Sequence, residues 1–96
     1  MIYSTVDELL ADPARWTQGH SARKEDGHPV GARAARACRW CLLGAIEFVY
    51  IWPDTDDAMR RAAREANAAG GLLSDWNDAP GRTHAEVVDI CRRASI

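Results

Sequence analysis

The chain has 96 residues, too few for two independent cores, and its formal charge of −2 supplies no field that would draw it to nucleic acid or to an anionic membrane. No run of about 18 apolar residues exists to span a bilayer, and Met1-Ile2-Tyr3-Ser4-Thr5 lacks the charged and apolar regions of a signal peptide, so a cytoplasmic location is expected. Three cysteines, Cys38, Cys41 and Cys91, are too few and odd in number for a disulfide framework, which agrees with a reducing compartment. Eleven Arg against one Lys, with abundant Ala, are residue types of GC-rich codons and point to a high-GC bacterium, or to a phage or mobile element living in one.

In chain order, the first helix is predicted to begin at Ser4 or Thr5, because Thr5-Val6-Asp7-Glu8 has the spacing of a capping box and Val6, Leu9 and Leu10 follow as a short apolar stripe. Pro13 closes that helix or opens a new turn carrying Ala14 to Trp16, with Trp16 buried against the central helix. From Thr17 to Gly31 the periodicity disappears. Gly19, Asp26-Gly27, Pro29 and Gly31 punctuate a polar surface loop packed by Trp16 and Val30, for which a small β-hairpin turning at Asp26-Gly27 is the competing reading.

Residues 32–52 carry the densest apolar content and are predicted as a central helix. At 100° per residue Ala34, Cys38, Cys41, Leu42, Ala45, Phe48, Val49 and Trp52 share its core face, with Arg33, Arg36, Arg39 and Glu47 away from it. Trp40, Leu43 and Tyr50 fall on the far side, where another segment or a partner must cover them. Trp52-Pro53-Asp54 ends this helix, and Asp54 or Thr55 caps a third one, with Asp56 and Asp57 in its first turn, Arg60, Arg61 and Arg64 later, and an inner face of Met59, Ala62, Ala63 and Ala66. Gly70-Gly71 stops it. Leu72 to Gly81 reads as irregular, anchored inward by Leu72, Leu73 and Trp76. Thr83 and Glu86 then form a second capping box for a last helix that buries Val87, Val88, Ile90, Cys91 and Ala94. The fold expected is a compact all-α bundle of about four helices in one small domain, with a minor β-hairpin allowed in the 17–31 stretch.

Three constellations bear on chemistry. Cys38-Arg39-Trp40-Cys41 is a C-x-x-C, but two turns inside a predicted helix no free N–H groups face the thiols, and a zinc site would need His20, His28, His84 or Cys91 without a second closely spaced pair. Two small hydrophobes in the interior is the reading adopted. Asn77, Asp78 and His84 form the second set: a carboxylate and an imidazole near a Trp-bearing turn suit an acid–base pair, while turn-stabilising hydrogen bonds explain Asn77 and Asp78 without chemistry. The third is the pair of basic strips, Arg33, Arg36 and Arg39, then Arg60, Arg61 and Arg64. Each has acidic neighbours and no base-reading motif, so solvated faces with local ion pairs are expected, and direct nucleic-acid binding is not.

Arg15-Trp16-Thr17-Gln18-Gly19, then Arg39-Trp40-Cys41-Leu42-Leu43-Gly44-Ala45, then Trp76-Asn77-Asp78 with Pro80-Gly81-Arg82-Thr83 and Glu86-Val87, resemble a family of small bacterial and phage proteins catalogued only as a domain of unknown function. The resemblance covers most of the chain and implies that Trp16, Trp40, Cys41, Gly44, Trp76, Asn77 and Asp78 act as a linked set. It carries no activity, and Cys38 is outside its pattern. The function expected is a non-enzymatic protein-binding module without a cofactor, an accessory protein of a phage or mobile element that inhibits a bacterial defence complex such as a CRISPR–Cas effector. Arg36, Arg39, Trp40 and Tyr50 are the expected contact residues, since Arg, Trp and Tyr dominate interface energetics. A small hydrolase or ligand-binding protein using Asn77, Asp78 and His84 is the alternative, and a zinc protein using Cys38 and Cys41 is the second.

Overall fold

A computed structural model describes residues 3–68 and 72–96. Thr5 caps the short helix α1 (Val6–Leu9) by accepting the Glu8 N–H, and Asp12-Pro13 opens a separate 3-10 turn over Pro13–Arg15. The competing reading of the next stretch is the correct one. Strands β1 (Ala22–Arg23) and β2 (Pro29–Val30) form an antiparallel hairpin, paired Ala22↔Val30 and Arg23↔Pro29, with Gly27 at positive φ in the turn.

The predicted central helix is replaced at its start. Residues 39–40 form strand β3 (Arg39–Trp40), antiparallel to β1 with Ala22↔Trp40 and Arg23↔Arg39, so the sheet runs β2-β1-β3 and the fold is not purely α-helical. Ala and Arg favour helix, but tertiary pairing outweighs that local preference. With the chain extended there, Cys38 N–H reaches Arg23 O at 2.9 Å, Thr17 N–H reaches Trp40 O at 3.0 Å, and the Trp40 indole donates to Ala32 O at 2.9 Å. The Trp40 ring also stacks at 4.8 Å on Phe48.

Helix α2 (Leu42–Val49) therefore starts only after Cys41, which is its N-cap: Cys41 is extended (φ −76°, ψ 172°), and its Sγ accepts the Gly44 N–H at 3.2 Å. Cys38 and Cys41 thus flank a strand and a helix start rather than lying two turns inside a helix. Gly44 is required by close approach. A Cβ built there would sit 1.9 Å from Ser21 O, the same carbonyl that accepts the Cys41 N–H.

Helix α3 (Asp54–Ala66) begins at Pro53 without the side-chain cap expected from Asp54 or Thr55. It ends in a Schellman arrangement, with Asn67 left-handed (φ 53°) and Ala68 N–H returning to Ala63 O, so the stop precedes Gly70-Gly71, which lie outside the described residues. The stretch read as irregular contains helix α4 (Leu73–Asp78). Helix α5 (His84–Ala94) has the complete Thr83–Glu86 capping box, and every residue predicted to face inward is buried. It closes with a second Schellman arrangement, Ser95 left-handed and Ile96 N–H on Cys91 O.

Leu9, Leu10, Leu42, Ile46, Leu73, Val87, Cys91 and Ile96 form the fully buried centre, and α3 adds Ala58 and Ala62 by packing on α5. Among the described residues no helix is long and apolar enough to cross a membrane.

Candidate functional site

The side chain that joins the most segments is Asn77, fully buried at the end of α4. Its Oδ1 accepts the Trp16 indole N–H at 2.7 Å and the Leu42 backbone N–H at 3.0 Å. Its Nδ2 donates to Thr17 O at 3.1 Å and to Asp78 Oδ1 at 2.9 Å. An amide has two acceptor positions and two donors, so all its capacity is used. Around it Gln18 donates to Asn77 O at 2.8 Å, and Asp78 Oδ1 accepts Gly19 N–H at 2.9 Å. Arg23 braces the loop by donating to Thr17 Oγ1, Gln18 O and Gly27 O. On the outer side Arg82 lies 3.9 Å over the Trp76 ring and donates to Trp76 O, which fixes α4 to the start of α5.

This arrangement spends Asn77 and one oxygen of Asp78 on structure. His84 is placed elsewhere: its Nε2 bonds Leu10 O and its ring lies 6.3 Å from that of Trp16. No hydrogen bond joins His84 to Asp78 among the described residues, so the acid–base pair of the alternative reading is not directly joined. A hollow of about 340 Å³ does open beside Asp78, between Gly19, His20, Ser21, Cys41, Leu43 and Ser74. Burial pushes the Cys41 thiol up, against the lowering effect of the Gly44 and Leu43 N–H groups, so the thiol stays protonated there.

The cysteines do not converge on a metal geometry. Cys38 is half-buried, Cys41 and Cys91 are buried, and no group of three or more His, Cys, Asp or Glu that would hold an ion is found among the described residues. Burial, with Asp7 next in effect, pushes the Cys91 thiol up to about 12.

Of the expected contact residues, Trp40 is a correction: it is 5% exposed, clasped by Ala32 and Phe48, and has no surface to offer. Arg36 is exposed and pairs with Glu25 at 3.5 Å, and Arg39 is half-buried in β3. Tyr50 is half-buried, its hydroxyl donating to Ile96 O at 2.9 Å, and burial raises its phenol. Two residues that sequence turned inward are placed outside by the structure: Leu72, which is 56% exposed, and Trp52. It is 80% exposed, and Ile51 beside it is 67% exposed. Because Tyr50 leaves the helix with extended geometry (φ −111°, ψ 154°), the 3.6-residue period used to place Trp52 inward does not apply. Ile51 and Trp52 border a groove of about 340 Å³ with Tyr50, Arg33, Glu47 and Met59, and it continues along α3 past Ala63 and Arg64.

A family model described as a family of unknown function, DUF6197, matches residues 2–95. The chain belongs to that family. No curated protein and no solved structure matches it. Membership of DUF6197 brings no activity, so function rests on what this chain buries and exposes. In this DUF6197 chain the three stretches singled out by sequence, 15–19, 39–45 and 76–78, meet at the Asn77 junction, whereas Trp52 lies in none of them. The one signal for it was its place before Pro53 at the end of an apolar run.

Proposed function

We propose that this protein is a non-enzymatic protein-binding module whose contact surface is centred on Trp52. The observation that carries the reading is the 80% exposure of that side chain next to an exposed Ile51 and a shallow groove. An indole left in water forgoes burial of about 150–200 Å², worth roughly 4 kcal/mol gross when a partner covers it. Such an aromatic anchor at a groove mouth is the usual centre of an interface. Tyr50 keeps a place in this surface from the contact set expected from sequence, and Arg33 replaces Arg36 and Arg39.

Its more specific form is inhibition of a bacterial defence complex such as CRISPR–Cas. That form is supported by small size, near-neutral charge and the resemblance to phage proteins, and no feature of the fold adds to it. The test is affinity capture from host lysate with wild-type protein and with Trp52→Ala. A stoichiometric partner retained by the first and lost by the second is expected, and identical captures would overturn the reading. Phage plating on a CRISPR-immune host that expresses the protein separates the forms: unchanged plating removes the inhibitor role and leaves the binding module.

A second reading, binding of a small ligand beside Asp78, is favoured by the hollow there, with Asp78 but not His84 as its carrier. Thermal-shift screening of wild type against Asp78→Ala tests it, and a ligand that stabilises both equally removes it.

A further inference from the structure

Granting the second reading, that a small ligand binds beside Asp78, the walls of the hollow name its chemical class. Three segments line it: the loop at residues 19–21, the start of α2, and Ser74 with Asp78 one turn apart on α4. Asp78 is the one side chain of fixed charge among them, and no Lys or Arg shares the lining. Asp78 Oδ1 already accepts from Gly19 and Asn77, while Oδ2 has no donor among the described residues. Arg23 comes close to Gly19, but its three guanidinium nitrogens are spent on Thr17, Gln18 and Gly27, and it forms no ion pair with Asp78. After burial and the Gly44 and Leu43 N–H groups, what acts on the Cys41 thiol in the wall is the charge of Asp78 and then of Glu47, and both push it up. A cation is therefore favoured inside, whereas an anion would meet Asp78 without a countercharge.

The free acceptors decide which cation. A metal ion is not served, since no group of three or more His, Cys, Asp or Glu converges among the described residues. A guanidinium binds best to both oxygens of a carboxylate, and one oxygen of Asp78 is taken. An ammonium asks instead for single acceptors around three N–H groups. Asp78 Oδ2 and the Ser21 and Ser74 hydroxyls are acceptors of that kind, since a hydroxyl keeps a lone pair to offer whatever its own hydrogen does. The His20 and Ser21 backbone N–H groups also lack an acceptor among the described residues, but they are neutral donors and select no charge. Leu43 and the protonated Cys41 supply an apolar wall, and about 340 Å³ is room for roughly ten water-sized groups. We propose that the hollow binds a small primary ammonium with an apolar body, its N–H groups on Asp78 Oδ2 and the Ser21 and Ser74 hydroxyls and its body against Leu43.

The experiment follows backbone amide signals of the isotope-labelled 96-residue protein by NMR, at about pH 8, where a free imidazole is uncharged and an alkylamine is not. The probes are benzylamine, benzyl alcohol and benzoate, which differ in the charged group alone, and butylamine beside Nα-acetyl-lysine methylamide, which carry the same ammonium on a free molecule and on a peptide unit. The Gly19 amide, bonded to Asp78, and the Cys41 amide report the site. Benzylamine and butylamine are expected to move both signals saturably, with benzyl alcohol and benzoate at least about tenfold weaker. Asp78→Asn, whose amide oxygen can still accept from Gly19 and Asn77, should weaken the amines about tenfold and leave the alcohol unchanged. Circular dichroism verifies that this variant is folded, and the three benzyl compounds test the charge on the wild type without it. Benzyl alcohol or benzoate binding as tightly as benzylamine overturns the ammonium and leaves the ligand site standing. Tighter binding of the lysine derivative than of butylamine assigns the ammonium to a protein and overturns the free ligand. Gly19 and Cys41 signals that no probe moves overturn both the class and the site.

Discussion

Replacing Asn77 by Leu keeps the branched heavy-atom skeleton and deletes four hydrogen bonds at once. The Leu42 N–H, on a residue with no exposed surface, loses its acceptor in a dry place, which costs about 1–3 kcal/mol. Trp16, Thr17 and Asp78 are partly solvated partners, and losing them adds roughly 0.5–1 kcal/mol each. The sum, about 2.5–6 kcal/mol, is a large share of the 5–15 kcal/mol available to a domain of this size, and it corresponds to a fall in Tm of roughly 12–30 °C. Thermal and urea unfolding followed by far-ultraviolet circular dichroism measure it. Asn77→Asp adds a sign test. The carboxylate can still accept from Trp16 and Leu42, but its second oxygen then faces Thr17 O and the Asp78 carboxylate. Its protonated form is the tolerated one, its folded-state pKa is raised, and stability should fall as pH rises through the carboxylate range. A loss below about 1 kcal/mol for Asn77→Leu would refute the idea that this amide joins the segments.

Gly44→Ala drives a methyl into Ser21 O, a backbone atom that cannot swing aside, and should cost about 3 kcal/mol or more by chemical denaturation; a neutral substitution would show that α2 and β1 can part freely. With a thiol reagent near pH 8, half-buried Cys38 should react first, Cys41 slowly and Cys91 only on unfolding, because burial holds the latter two protonated. Three fast equivalents in the native protein would contradict that order. Hydrogen bonds from the Thr83 N–H and hydroxyl hold the Glu86 carboxyl below its ordinary value, so the cap's contribution is complete above the ordinary carboxylate range and is lost as pH falls through the lowered value. The Tm gap between wild type and Glu86→Ala should therefore shrink as the pH is taken from about 5 to about 3.

What sequence made legible was local chemistry. Thr5, Thr83 and Glu86 cap helices where their spacing says they should, and α5 buries the five residues its period selects, because those signals depend only on neighbours within one turn. The 32–52 stretch misled for the opposite reason. Its Ala and Arg residues have helical preference throughout, and what makes residues 39–40 extended is a backbone partner at Ala22, which no local window contains. That error moved Trp40 inward and Cys41 to a helix cap, while Trp52 turned outward because the helix ends at Val49 and Tyr50 is extended. The residues of the Asn77 junction were named as a set by resemblance, but their bonding was not readable, since three of the amide's four partners lie 35 to 61 residues away in sequence. The α4 helix escaped because six residues are too few to show a period against an Asn, an Asp and a nearby Pro.

The span between Trp16 and Asn77 also governs when the protein can fold. Drawing together two points 61 positions apart costs an unfolded chain roughly 3–4 kcal/mol of closure entropy, and nothing repays it until both ends are present. On the ribosome the hairpin can form early, yet Trp16, Thr17 and the start of α2 must wait for Asp78 to clear the exit tunnel before their polar groups find a mate. Protease protection of nascent chains stalled behind a C-terminal linker should therefore rise in one step, once the linker carries Asp78 out of the tunnel, rather than helix by helix.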